Sequence, residues 1–239
     1  RLSVPNTGYN GKEFAKNAYK IQIDTDRCEM NKFDLNINYK IYADLQDFIP
    51  HLLDYLKHCQ HLDNNNWDLL HKWHQELVYL KERYPVIDEP HTREEGYINS
   101  FDFIDKLSEY LTPNDIVVTD MGTSFTCTMQ SLKNKGNRLF TSSGLSSMGF
   151  GLPGAIGAHM ASPKSRIICI TGDGGIQMNI QELQTIKHYD MPLYVFVLNN
   201  QGYLAISLMQ DNLFDKNHFG SDYESGVSSP DFVRVAEAY

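Results

Sequence analysis

Asp173 and Asn200 are the residues whose types and spacing point most directly to chemistry. They lie 27 positions apart (200 − 173), in Gly172-Asp173-Gly174-Gly175 and Asn199-Asn200-Gln201-Gly202. Each offers a hard oxygen. Magnesium takes a few protein oxygens and completes its octahedron with phosphate oxygens. One carboxylate and one amide leave such an ion net positive, as an anionic diphosphate requires. Gly174 and Gly175 carry no side chains, so their backbone amides can approach phosphates closely.

Two strands must position these residues. The apolar run 166–171, Arg-Ile-Ile-Cys-Ile-Thr, leads into Asp173, and Leu193-Tyr194-Val195-Phe196-Val197-Leu198 leads into Asn200. Both are short, rich in β-branched or aromatic residues and bounded by turn residues, as buried strands are. Between them Ile176, Ile180, Leu183 and Ile186 recur at helical spacing, and Asn179 with Glu182 reads as a capping pair. Strand, helix and strand of this length predict a right-handed parallel crossover. Its two strands end on one sheet edge, where open α/β folds bind ligands, so Asp173 and Asn200 should meet there.

The Gly-Asp-Gly turn, its spacer and Asn-Asn match the thiamine-diphosphate signature. The chain resembles the diphosphate-binding half of acetolactate synthase-like, thiamine-diphosphate-dependent enzymes along nearly all of its length, most strongly over 115–202. The resemblance implies thiamine diphosphate and magnesium as cofactors, with flavin left open. It implies that Asp173, Asn200 and the Gly202 backbone oxygen hold the metal. It implies further that Gly174 and Gly175, with the turn Gly122-Thr123-Ser124 after the strand Ile116-Val117-Val118-Thr119, contact the diphosphate. Read alone, that turn is a weak signal, because Ser and Thr after a strand are more often helix caps.

Residues 144–157 form a glycine-rich segment. By family position the Ser146 carbonyl and the Met148 amide bond the aminopyrimidine, and Met178 wedges between the cofactor's two rings. Gly149 to Gly154 also satisfies the dinucleotide pattern G-x-G-x-x-G, with Asp173 19 positions on (173 − 154). That pattern needs an apolar strand before its first glycine. Thr141-Ser142-Ser143-Gly144-Leu145-Ser146-Ser147 is polar and small, which argues against a dinucleotide oxidoreductase.

The predicted fold is α/β, a doubly wound and mainly parallel sheet with helices on both faces, preceded by the tail of a second α/β domain. Residues 1–58 resemble the end of the family's central domain, with a strand over Tyr19 to Asp24 and a helix from Asp44 to Leu56. Residues 59–99 read as an interdomain connector. They include a helix whose apolar face is Trp67, Leu70, Trp73, Leu77 and Leu80, ended by Tyr84-Pro85. Residues 100–239 form the diphosphate-binding domain, opened by an amphipathic helix through Phe101, Phe103, Ile104, Leu107 and Leu111. Its last helix, capped by Ser229 with Pro230 first, stops at Tyr239. The chain starts at Arg1, so a fragment of a longer polypeptide is expected.

The histidine pairs His58/His61 and His71/His74 have helical spacing but no evident third ligand, which favours solvated histidines over a metal site. A net charge of −9 argues against nucleic acid as the main partner. No apolar stretch approaches a membrane span, and no signal peptide opens the chain. Four scattered cysteines, Cys28, Cys59, Cys127 and Cys169, fit a reducing, cytoplasmic setting.

The resemblance implies a transferase or lyase acting on a 2-oxo acid, with decarboxylation and carbon–carbon bond formation. A simple 2-oxo acid decarboxylase, or a non-catalytic cofactor-binding fragment, are the alternatives. Family acetohydroxyacid synthases carry a tryptophan nine positions after the second Asn, where this chain has Met209, so the acceptor stays open. The activating glutamate of the family belongs to a pyrimidine-binding domain of a second subunit, in a homodimer or homotetramer. No segment here resembles that domain, and Glu182 sits in a capping position. No catalytic acid or base is therefore assigned, and the chain alone is expected to be inactive.

Overall fold

The structure is a computed structural model that describes residues 2, 4–32, 34–59, 64–87 and 95–239. Gln60, His61 and Asp63, and Asp88, Glu89, Pro90 and Thr92 of the expected connector, lie outside the described residues. The chain divides into two compact units, residues 1–80 and 81–239.

In the first unit, α1 (Val4–Thr7) precedes β1 (Ile21–Asp24), α2 (Arg27–Met30) and β2 (Tyr39–Tyr42). β1 and β2 pair in parallel, Ile21 opposite Tyr39. α3 (Leu45–His58) starts where expected, the Asp44 carboxylate accepting from the Gln46 amide. α4 (Asn64–Arg83) ends at Tyr84-Pro85 and crosses the division between the units. Trp73, expected on a buried face, is 59% exposed. Helical spacing can show that an apolar stripe exists; it says nothing of what covers it.

The second unit contains α5 (Ser100–Glu109), β3 (Ile116–Thr119), α6 (Thr123–Ser131), β4 (Arg138–Phe140), α7 (Gly151–Ala161) and β5 (Ile167–Gly172), followed by α8 (Asp173–Gln177), α9 (Glu182–His188), β6 (Leu193–Leu198), α10 (Leu204–Leu213) and α11 (Phe232–Ala238). Among the described residues its sheet has four strands in the order β4-β3-β5-β6, every pair parallel. Successive side chains of a strand point to opposite faces, so each strand feeds two cores. Ile116, Val118, Ile167 and Cys169 pack with Leu152, Ala155 and Ala158 of α7 and with Leu183 and Ile186 of α9. Val117, Ile168 and Ile170 pack with Ile104 of α5 and Cys127 of α6. Helices on both faces of a parallel sheet make this the expected doubly wound α/β fold. Burial pushes the Cys127 and Cys169 thiols up in pKa, which keeps them protonated packing groups.

From β3 the chain first runs out to β4, then returns past β3 to β5. The winding direction therefore reverses between β3 and β5, and their C-terminal ends flank the crevice where such folds bind ligands.

Two local expectations fail. The helix between β5 and β6 is broken into α8 and α9, and Asn179 does not cap α9; its side-chain amide donates to the Gly149 carbonyl at 2.6 Å. Glu182 instead accepts from the Thr185 hydroxyl at 3.0 Å. Ser229 does not cap α11, because Asp231 does, accepting from the Val233 and Arg234 amides. In both places the side chain goes to a long-range partner, Asn179 to Gly149 and Ser229 to Asp173.

At the opposite sheet edge Arg166 grips Asp115. Its Nε lies 2.9 Å from Oδ1 and its Nη2 2.5 Å from Oδ2, and Nη2 also donates to the Tyr110 carbonyl at 2.7 Å. Burial pushes the Asp115 carboxyl up, but the Arg166 fork and the Thr112 amide outweigh it and hold the group below the usual carboxylate range. A group lowered by folding stabilises fully above its unfolded value and loses that contribution as pH falls through the folded one. Arg166 is 40% exposed, so solvent screens the pair. Arg166→Gln should cost about 1–2 kcal/mol in urea unfolding at neutral pH. It should also move the onset of acid unfolding, followed by circular dichroism, to higher pH.

Candidate functional site

A cleft opens at the C-terminal ends of β3, β5 and β6. Gly122, Thr123, Met148, Asp173, Gly174, Gly175, Asn200 and Gly202 all line it, together with Tyr203 and Leu204. Residues from four separate stretches of sequence thus reach one place. Three expected contacts do not line it. Ser124 is buried, and its hydroxyl donates to the Met121 carbonyl at 3.2 Å. Ser146 is exposed at a positive φ of 57° in a turn closed by its own amide on the Ser142 carbonyl. Met178 follows α8, is 48% exposed and packs against Gly149, where a Cβ would lie 2.9 Å from its own Cβ.

Asp173 is 2% exposed. Its Oδ2 accepts from the Gly202 amide and from the Ser229 hydroxyl, each at 2.9 Å. Among the described residues its Oδ1 has no hydrogen-bond partner. Oδ1 is not sealed from the cleft, so it stands available to a cation or another polar group there. Asn200 is exposed at the cleft. Its turn is held by the Gln201 amide on the Asn199 side chain, 3.1 Å away. Among the described residues no three His, Cys, Asp or Glu side chains gather within metal-binding range. A cation in this cleft would rest on a mixed set of carboxylate, amide and backbone oxygens, a donor set that suits magnesium.

The glycines are needed for space. A Cβ on Gly174 would sit 2.2 Å from the Tyr203 ring, and one on Gly202 would sit 2.5 Å from the Ser221 carbonyl. One on Gly175 would lie 2.8 Å from Asp120 Oδ2. The cleft also receives two helix starts. Gly122 and Tyr203 stand before α6 and α10 without any side-chain cap, and both border the cleft. By contrast Asp26, Asp44, Asn99 and Asp231 cap their helices. Uncapped first-turn amides and the positive end of the helix dipole form a ready site for an anion.

Asp120, at the end of β3, is the organising residue that the sequence reading passed over. It is fully buried. Its Oδ1 accepts from the Met121 amide at 2.8 Å and the Gly149 amide at 2.9 Å. Its Oδ2 accepts from the Gly151 amide at 3.2 Å and the Thr171 hydroxyl at 3.0 Å. The glycine-rich segment is thereby pinned to the sheet edge. The signal was available: an acid that closes an apolar strand needs donors, and a loop of glycines supplies bare amides. The 141–150 stretch separates β4 from α7, so the dinucleotide pattern lacks its strand here as well.

The segment after α10 folds back over the cleft wall. The Ser221 carbonyl accepts from the Tyr203 amide at 2.7 Å, and the Ser221 hydroxyl donates to Gln210 at 2.7 Å. His218 bridges two carboxylates, Asp222 through Nδ1 and Asp211 through Nε2, the latter at 2.8 Å. The Asp222 and Asp211 hydrogen bonds raise the imidazole pKa above its usual value. The Ser225 hydroxyl, then His218, hold Asp222 down at about 2.

Asp120→Ala should leave the Gly149 and Gly151 amides unpaired. Their hydrogen exchange should quicken at least about tenfold while exchange in β5 changes little. Because folding raises the His218 value, the bridge is complete at 6.5 and below and is lost as pH climbs through the raised value. An NMR titration should give a midpoint above 6.5, and Asp222→Asn should lower it.

Residues 120–239 match the family model of the thiamine pyrophosphate enzyme C-terminal, TPP-binding domain. The chain is 34% identical over 232 residues to the acetolactate synthase large subunit of Cyanidium caldarium, covering 95% of this chain and 37% of that protein. It is 34% identical over 236 residues to a probable acetolactate synthase large subunit of Methanococcus aeolicus, covering 95% and 38%. It is 32% identical over 234 residues to the acetolactate synthase isozyme 3 large subunit of Escherichia coli (strain K12), covering 98% and 39%. The chain thus spans less than two-fifths of the length of these relatives. With its cleft at the β3/β5 reversal and its glycine cradle beside Asp173, the chain belongs to the thiamine pyrophosphate enzyme family, on the acetolactate synthase-like branch.

Proposed function

We propose that this chain holds the diphosphate end of thiamine diphosphate through a magnesium ion, within an enzyme that decarboxylates a 2-oxo acid and forms a carbon–carbon bond. The observation that carries the reading is the Asp173 carboxylate. It is buried at the cleft, with Oδ2 committed to two protein donors and Oδ1 uncommitted. Asn200 and the Gly202 backbone oxygen complete the protein's share of the metal ligands. The starts of α6 and α10, with Gly174 and Gly175, receive the phosphates. Ser146 and Met148 address the aminopyrimidine, and the half-exposed Met178 supports the bend between the rings. When bound, thiamine diphosphate supplies the electron sink that such a decarboxylation needs; these residues orient it.

The activating glutamate comes from the pyrimidine-binding domain of a second subunit, so the working form is a homodimer or homotetramer and this chain alone is inactive. Met209, 46% exposed on α10, stands where the branched-chain enzymes carry tryptophan and leaves the acceptor substrate open. The described cysteines are free thiols, in keeping with a reducing cytoplasm. No helix of the described residues is long and apolar enough to cross a membrane.

Calorimetry on the full-length protein tests the reading. The wild type should bind thiamine diphosphate only with magnesium present, and NADH should not bind. Asp173→Ala should weaken that binding at least about a hundredfold, since it removes the one charged ligand. Equal affinity in the variant, or binding indifferent to magnesium, would sink the assignment.

A further inference from the structure

We infer that Ser229 is a positioning residue for the metal site, one that aims the Asp173 carboxylate; the inference rests on the function proposed above. Ser229 lies 56 positions beyond Asp173, yet its Oγ is 2.9 Å from Asp173 Oδ2. The same oxygen accepts from the Gly202 amide at 2.9 Å. A carboxylate rotates easily about its last torsion, which has broad and roughly two-fold preferences. A single amide would leave that rotation loose. Two donors from different segments, converging on one oxygen, hold Oδ2 in the protein and keep Oδ1 free for the cation. Metal ligands in general are oriented in this way by outer partners, whose loss costs about 10- to 100-fold in metal affinity.

The segment carrying Ser229 is built to deliver it. Upstream, the Val227 amide donates to the Asp222 carbonyl at 2.8 Å, and the Ser225 hydroxyl lies 2.6 Å from the Asp222 carboxylate. Downstream, Asp231 caps α11, whose Phe232 packs on the sheet core. Ser229 is therefore held from both sides. It also forgoes the capping role that its place before Pro230 suggests, and gives its hydroxyl to Asp173 instead. One strap thus steers two members of the metal site. Ser221 packs against Gly202, whose Cβ position lies 2.5 Å from the Ser221 carbonyl, and Ser229 bonds Asp173.

The test is the isosteric pair Ser229→Thr and Ser229→Val in the full-length protein. The two side chains have the same shape and differ in one hydroxyl. Magnesium affinity is measured by calorimetry at saturating thiamine diphosphate, and the thermal midpoint is measured without cofactor. Ser229→Thr should bind magnesium close to wild type, and Ser229→Val about 10- to 100-fold more weakly, with similar thermal midpoints. Equal magnesium affinity in the pair, with the wild type binding normally, overturns the role of Ser229 and leaves the cofactor assignment standing. A weakening in Ser229→Val that merely follows a lower thermal midpoint also overturns it. A wild type that binds no magnesium with thiamine diphosphate overturns both.

Discussion

Placing a carboxylate at the buried end of a parallel strand is the constraint on which this domain turns. Removing such a group from water costs several kcal/mol unless donors or a cation replace the lost hydration. At the C-terminal ends of its strands the second unit carries two of them, Asp120 after β3 and Asp173 after β5, both almost wholly buried. They flank the point where the winding of the sheet reverses. Much of the surrounding irregular structure supplies their donors: the glycine-rich loop, the turn after β6 and the strap after α10.

The two acids solve the same problem in opposite ways. Asp120 is saturated, each oxygen accepting from two donors, and so acts as a fixed joint between β3, β5 and the 149–151 loop. Each hydrogen bond to a charged group contributes about 1.5–3 kcal/mol, enough for four of them to offset the burial. Asp173 is satisfied on one oxygen only. Leaving the other open makes sense if a cation completes it, and the neighbouring glycines, too crowded for any Cβ, keep backbone amides within reach of what that cation carries.

The strands were legible because their signals are local and strong. Leu193–Leu198 matches its expected bounds, and β5 differs by one residue at each end. Their parallel pairing, and the meeting of Asp173 with Asn200 in one cleft, followed from the length of the crossover. Side-chain partners chosen across long sequence distances were not legible. Asn179 looks like a cap because Glu182 stands three residues on, yet Gly149 is the better partner at 2.6 Å. Ser229 looks like a cap because Pro230 follows, yet Asp173 claims it. Asp120 escaped notice because three of its four donors lie 29 to 51 positions away, and no short pattern spans that gap. The direction of Ser124 was hidden for another reason: which face of a helix start is buried depends on packing, and the spacing of its neighbours does not encode it.

The proposed diphosphate site in a chain of net charge −9 needs a local explanation, since the overall field repels an anion. Salt screens the distant charges within about 8 Å, so what matters is the charge at the cleft itself. There the starts of α6 and α10 present positive dipole ends that no side chain caps. Asp211 on α10 and Asp222 on the strap after it are both tied to His218. The bridge ties α10 to the strap that reaches Gly202 and Asp173, and it pairs the carboxylates of both with one imidazole. Asp173 remains as negative charge in the cleft lining, and a divalent cation bound there would reverse its sign. On the proposed reading, metal and diphosphate would bind together at this cleft: without the cation, the Asp173 carboxylate would repel the anion that the helix ends attract.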